Sequence, residues 1–284
     1  MEKIIQKNLM QIKRLIDIGL NEDLDGEKDI TSNAIFSNET GKYNIMAKQN
    51  GVLCGIEVAK LVFKRVDRSI NFLPNFKDGE SLQKTDIVAT IEGKIKNILA
   101  AERTALNFLG YLSGISTMTY QFVSAAKFQT IILDTRKIIP GYRILAKYAV
   151  SCGKGENHRF GLYDMIMIKD RHIDAAGSIK NAVEKVRKKY GSKYLVEVET
   201  ASIEEVKEAL ECNVDRIMLD NMSIENIKKA LEVISNKTEV EVSGNVTLES
   251  IESLASLKPT YISIGALTHS VKNFDFTMKY AKER

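Results

Sequence analysis

From about residue 130 the chain alternates two hydrophobic rhythms. Short β-branched runs, TIILDT, MIMIKD, YLVEVE, RIMLD, VEVSG and YISIG, are separated by stretches such as SIKNAVEKVRKKYG, SIEEVKEALEC, SIENIKKALEVIS and TLESIESLASL. The longer stretches space their apolar residues as a helix does. They open on Ser or Thr, which can cap orphan N–H groups, often with Glu three positions on. Repetition of strand then helix implies parallel strands joined by crossover helices, and nearly continuous apolar runs suit strands buried on both faces. Six or so units predict an α/β fold, a TIM-like (β/α) barrel, complete or short of its full strand number, or a large doubly wound sheet.

Residues 1 to about 112 have a different pattern. An amphipathic opening helix, MEKIIQKNLMQIKRLI, leads through NEDLDGEKDITS to strand-like YNIMAKQNGVLCG, SINFLPNF and DIVATIEGKIKNIL, with turn signals at Asn50-Gly51, Asp78-Gly79 and Glu92-Gly93. This predicts an N-terminal α+β open-faced sandwich over 1–112 and a barrel-like catalytic domain over 113–269. A long helix from about Ala100, interrupted near Ser113-Gly114, crosses between them, and a final helix over 270–284 packs back on the N-terminal domain.

In a β/α barrel the residues just past each strand line the rim where ligands bind. Here they read Asp134-Thr135-Arg136-Lys137, Lys169-Asp170, Glu197-Val198-Glu199, Asp220-Asn221, Ser243-Gly244-Asn245 and Gly265-Ala266. Arg136, Lys137, Arg159 and Lys169 can grip carboxylates or a diphosphate. Glu199 and Asp220 are oxygen donors suited to Mg²⁺, which keeps waters or substrate phosphates as its other ligands. The Ser-Gly-Asn and Gly-Ala turns can offer backbone N–H groups to a terminal phosphate. Together they describe a phosphorylated sugar with a metal-bound diphosphate beside an anionic acceptor. His158 and His172 lack the close spacing of a paired metal site and suit a hydrogen bond to an anion or to the backbone; His269 suits a capping role.

The 284 residues are 44% hydrophobic and 27% charged, an ordinary globular composition. No apolar run approaches the roughly 20 residues of a membrane span, and no signal peptide is apparent. Cys54, Cys152 and Cys212 form no CxxC pair, so small core residues in a reducing cytoplasm are expected. A net charge of +4 is too small to argue for nucleic acid. Its placement is more informative. Eight basic side chains against four acidic ones lie between Asp134 and His172, which accounts for the whole excess and suits a multiply anionic small ligand.

The segments EDLDGEKDIT, ERTALNFLGYLSGIST, DTRKIIPGYR, KYAVSCGKGENHRFGLYDMIMIKDRHI, LVEVE, IMLDNM, EVSGNVT and YISIGALTHS follow one another in a known order. The chain resembles the quinolinate phosphoribosyltransferase family, the carboxylating nicotinate-nucleotide pyrophosphorylases of NAD synthesis, over nearly its whole length. The resemblance implies transfer of phosphoribose to quinolinate with loss of CO₂. It implies Lys137, Lys169, Glu199 and Asp220 as catalytic groups, the two acids holding Mg²⁺. Thr135, Arg136, His158 and Arg159 would join them in binding substrate, with Ser243, Gly244, Asn245, Gly265 and Ala266 at the 5′-phosphate. It also implies that Arg103 reaches a neighbouring subunit's site, hence a homodimer, possible precursor of a hexamer. Ile138, Lys154 and Arg171 depart from the family pattern, and the latter two add positive charge near the site. A related transferase acting on another aromatic acid, such as the molybdenum-operon type, and a silent barrel sensor are the alternatives.

Overall fold

The computed structural model describes residues 7–26 and 28–281. They divide into two compact units, one comprising the chain up to 120 with 139–154 and the segment from 270, the other 121–138 and 155–269.

The first unit opens with α1 (Leu9–Leu24), which buries Ile12, Ile16 and Leu20, four residues apart on one face. The part of the expected opening helix over residues 1–6 lies outside the described residues. α2 (Ile30–Ile35), β1 (Thr40–Ala47), β2 (Gly51–Val52), α3 (Ile56–Val66), β3 (Asn71–Pro74), β4 (Ser81–Leu82) and β5 (Ile87–Lys94) follow.

Two expectations are corrected here. Helix α4 (Ile95–Ala125) runs without a break through Ser113-Gly114. Its polar residues bond sideways to the β2 segment: Ser113 Oγ accepts from Cys54 N (2.9 Å) and donates to Cys54 O (3.0 Å), and Ser116 Oγ donates to Val52 O (2.7 Å). Gly114 serves close packing, since a Cβ there would lie 2.5 Å from the backbone oxygen of Lys272. Gly114→Ala is accordingly expected to destabilise the protein by about 1–3 kcal/mol, the usual cost of overpacking against backbone. An unchanged melting temperature would contradict this packing role.

The second correction concerns the C-terminus. The expected final helix is a strand over Phe276–Tyr280. Phe274, Phe276, Met278 and Tyr280 alternate with Asp275, Thr277 and Lys279, a period of two. The strand pairs antiparallel with β1, Ile45 opposite Met278 and Ala47 opposite Phe276, at one edge of a four-stranded sheet.

The second unit is built on six parallel strands. β6 (Ile131–Leu133), β7 (Ile166–Ile168), β8 (Val196–Thr200), β9 (Arg216–Asp220), β10 (Glu239–Ser243) and β11 (Tyr261–Ser263) form one sheet in the order β6-β11-β10-β9-β8-β7. First strand thus pairs with last, as in a barrel, while β6 and β7 form the two ends of the sheet, so among the described residues the barrel is open between them. Helix α5 (Arg143–Cys152), assigned to the first unit, lies between β6 and β7 in sequence. α6 (Asp170–Ala176), α7 (Ile179–Tyr190), α8 (Ile203–Glu211), α9 (Ile224–Ile234), α10 (Ile251–Ala255) and α11 (Ala266–His269) complete the order. Ser178, Ser202 and Ser223 cap α7, α8 and α9 as the sequence suggests, each accepting an N–H three residues on. Cys54 and Cys152 are buried and unbridged. No helix among the described residues is long and apolar enough to cross a membrane.

Candidate active site

Most of the residues expected at the strand ends converge on one cavity of about 860 Å³ in the second unit, while Asp134, Glu197 and Val198 are buried and do not line it. Thr135, Arg136 and Lys137 reach it from the end of β6, His158 and Arg159 from the loop before β7, and Lys169 from the N-cap of α6. Glu199 on β8, Asp220 on β9, and the turns Ser243-Gly244-Asn245 and Gly265-Ala266 complete the lining. Arg103 is not part of it and is exposed on α4.

Backbone geometry explains the small residues. Gly244 has φ +98°, and a Cβ there would come within 2.9 Å of the Asn221 backbone N, so only glycine fits. Asn221, itself at φ 54°, donates its N–H to Ser243 O (2.9 Å) and accepts from Asn245 Nδ2 (3.1 Å). The ends of β9 and β10 are thereby tied together. Gly265 admits the Lys137 stem and the His269 ring, whose atoms would lie 3.3 and 3.0 Å from a Cβ. Thr268 Oγ1 donates to Lys137 O (3.0 Å), and Lys137 N–H donates to Thr135 Oγ1 (3.1 Å). His172 bonds to backbone: its Nδ1 accepts the Lys169 N–H (2.9 Å) in a capping box.

The electrostatics favour an anion. Lys169 Nζ pairs with the Glu199 carboxylate. Arg136 Nε is buried without a hydrogen-bond partner, an unusual state for a guanidinium donor that a ligand acceptor would relieve. Burial, and then the like charge of Arg136, hold the Arg159 pKa below its usual value, with Glu197 acting in the opposite direction. Arg171 also lines the cavity and pairs only loosely with Asp170 (3.3 Å) at a largely exposed position.

Beneath the cations His158 and Glu197 join Glu241 and Arg216, which the sequence reading did not single out, in one buried group. His158 Nε2 stands 3.1 Å from Glu197 and 3.2 Å from Glu241, both fully buried, and Arg216 Nη1 lies 3.2 Å from Glu241. Burial works against a charged His158 ring, yet the bonds to Glu197 and Glu241 outweigh it and raise its pKa. Burial, followed by the charge of Glu241, pushes the Glu197 carboxyl up to about 7. Because His158 Nδ1 accepts the Arg159 backbone N–H (2.6 Å), the ring proton sits on Nε2, facing the two carboxylates.

Two donor sets could hold a cation. His158, Glu197 and Glu241 lie within 4.8 Å of one another, but His158 Nε2 and Arg216 already engage the two carboxylates. Glu199 and Asp220 offer hard carboxylate oxygens at the open cavity, where water and a ligand's phosphates can fill the remaining positions. That donor set fits Mg²⁺.

Residues 29–113 match the family model described as quinolinate phosphoribosyl transferase, N-terminal domain, and 115–279 the corresponding C-terminal domain. The chain is 40% identical, over 95% of its length and 94% of the relative's, to a probable carboxylating nicotinate-nucleotide pyrophosphorylase of Bacillus subtilis. It is 42% identical, over 96% of its length and 83% of the relative's, to the chloroplastic carboxylating enzyme of Arabidopsis thaliana. The crystal structure of NadC from Streptococcus pyogenes superposes with a TM-score of 0.91 at 41% identity, covering 96% of this chain and 98% of that one. With both domain models spanning it and relatives aligned over nearly its full length, this chain belongs to the quinolinate phosphoribosyltransferase family.

Proposed function

We propose that this protein transfers the phosphoribosyl group of phosphoribosyl pyrophosphate to quinolinate, releasing diphosphate and CO₂ and yielding nicotinate mononucleotide. The observation that carries this reading is the gathering of Arg136, Lys137, Arg159, Lys169 and Arg171 around one cavity in which Arg136 Nε is buried and unbonded. Such a site suits a reaction whose main difficulty is bringing two anions together in register.

In this reading Thr135, Arg136, Arg159 and Lys169 hold the quinolinate carboxylates, and His158 supports them. The backbone amides of Ser243, Gly244, Asn245, Gly265 and Ala266 hold the 5′-phosphate. The pyridine nitrogen attacks the anomeric carbon as the bond to diphosphate breaks, and Lys137 and Lys169 stabilise the charge that leaves. The carboxylate beside the now cationic ring nitrogen departs as CO₂, and the ring carbon that keeps its electron pair takes up a proton. Glu199 and Asp220 would hold Mg²⁺, which neutralises diphosphate charge when bound. Arg103, exposed on α4, would complete the site of a second copy, making the working form a homodimer.

Turnover of quinolinate in the presence of phosphoribosyl pyrophosphate and Mg²⁺ is expected to stop on adding EDTA and to resume with excess Mg²⁺. Turnover indifferent to EDTA would contradict the metal role, and absence of turnover with Mg²⁺ present would contradict the reaction.

A further inference from the structure

His158 lines the cavity, yet its two ring nitrogens are both committed inward. Nδ1 accepts the backbone N–H of Arg159 at 2.6 Å, and Nε2 faces Glu197 and Glu241 at 3.1 and 3.2 Å. Neither nitrogen is left to donate to a ligand. Asp134, completely buried at the end of β6, accepts the His158 backbone N–H (2.9 Å), so the residue is fixed at its backbone as well.

The next residue is held by the same arrangement. The Arg159 backbone is tied to the His158 ring, its guanidinium Nη1 donates to Met165 O (3.1 Å), and Asp164 accepts the N–H groups of Phe160 and Gly161 (2.5 and 3.0 Å). Glu197 acts electrostatically on Arg159 against the repulsion of Arg136. A guanidinium kept close to a second one, with no ligand to neutralise either, needs both a fixed backbone and a nearby countercharge. The Glu197–His158–Glu241 cluster supplies both.

We propose that His158 is a positioning residue rather than a ligand-binding one: clamped by Glu197 and Glu241, it fixes the backbone of Arg159 through Nδ1 and so aims that guanidinium at the acceptor's carboxylates. This refines the proposed function, since the ligand class is the aromatic diacid of that reading. Two substitutions separate the roles of the two nitrogens. His158→Asn places an acceptor oxygen one bond beyond Cγ, where Nδ1 sits. His158→Gln reaches instead toward the position of Nε2 and loses the bond to Arg159.

The experiment measures amide hydrogen exchange at Arg159 and calorimetric binding of phthalate, a plain aromatic 1,2-diacid, in wild type, both variants and Glu241→Gln. Arg159 exchange is expected to stay slow in His158→Asn and to rise about tenfold in His158→Gln, the scale of one lost hydrogen bond. Diacid affinity should follow the same order, with Glu241→Gln intermediate. Binding of inorganic diphosphate should change less than twofold throughout, which general unfolding would not permit. Tighter diacid binding in His158→Gln than in His158→Asn would overturn the proposal, because it would show Nε2 acting on the ligand. Equal behaviour of the two variants, or unaltered Arg159 exchange in His158→Gln, would overturn it as well. Failure of the wild type to turn over quinolinate would count against the reaction alone, since neither readout here depends on turnover.

Discussion

Arg103→Ala is expected to lose catalysis by about 10²–10³-fold with its fold and the proposed homodimer intact, the scale on which removal of one preorganised charge donor acts. Arg103 is solvent-exposed on α4 and absent from the lining of the cavity in its own chain. Its replacement therefore should not disturb the core or the local rim. The shared-site reading makes a sharper claim about mixtures. If each site takes Arg103 from one subunit and Glu199 from the other, then Arg103→Ala and Glu199→Ala proteins, each inactive alone, should regain activity after subunit exchange. One of the two sites in the mixed dimer is then intact. Refolded mixtures as inactive as their parents would defeat the shared site, as would normal turnover by Arg103→Ala alone.

Lys169→Ala should weaken binding of quinolinate or phosphoribosyl pyrophosphate by roughly 1.5–3 kcal/mol, about 10- to 100-fold, as expected for a lost hydrogen bond to a charged group. The Lys169–Glu199 pair adds a second consequence. Without its partner, Glu199 retains an uncompensated charge at a position with only 14% of its side chain exposed. Repulsion of the incoming anions should then compound the loss. Lys169→Ala combined with Glu199→Gln should accordingly recover part of the lost ligand affinity, although not turnover, because Glu199 also belongs to the proposed metal site. Calorimetry showing unchanged binding of both ligands to Lys169→Ala would refute its role as an anion grip.

The strand ends were legible because a barrel rim is a geometric rule: Arg136, Lys169, Glu199, Asp220 and Ser243 each sit just past, or at the end of, an apolar run. Less legible was anything that depends on which face of a strand looks inward. Glu241 was not singled out and Glu197 was named only among the strand ends, since in VEVE and VEV they form the polar half of an alternation that leaves open which side faces inward. Both are completely buried, since the barrel encloses that face too. A signal was nonetheless present: with a period of two, Glu197 shares a face with Glu199, and Glu241 with Ser243, so residues pointing to the site have neighbours pointing to the same interior. Asn221 was placed on the rim but given no role. Its part in holding Gly244 and Asn245 depends on contact between two loops distant in sequence. The continuity of α4 through Ser113-Gly114 was hidden for a related reason, as Ser113 bonds to Cys54, Ser116 to Val52, and Gly114 packs on the backbone of Lys272.

The decisive measurement follows quinolinate labelled in the carboxylate beside the ring nitrogen, incubated with phosphoribosyl pyrophosphate and Mg²⁺, with nicotinate as the parallel substrate. Equal amounts of labelled CO₂ and nicotinate mononucleotide from quinolinate, with no nucleotide from nicotinate, are the expected result. Binding of phosphoribosyl pyrophosphate without either product would contradict the assignment and direct attention to Ile138, Lys154 and Arg171 as marks of a different aromatic acid acceptor.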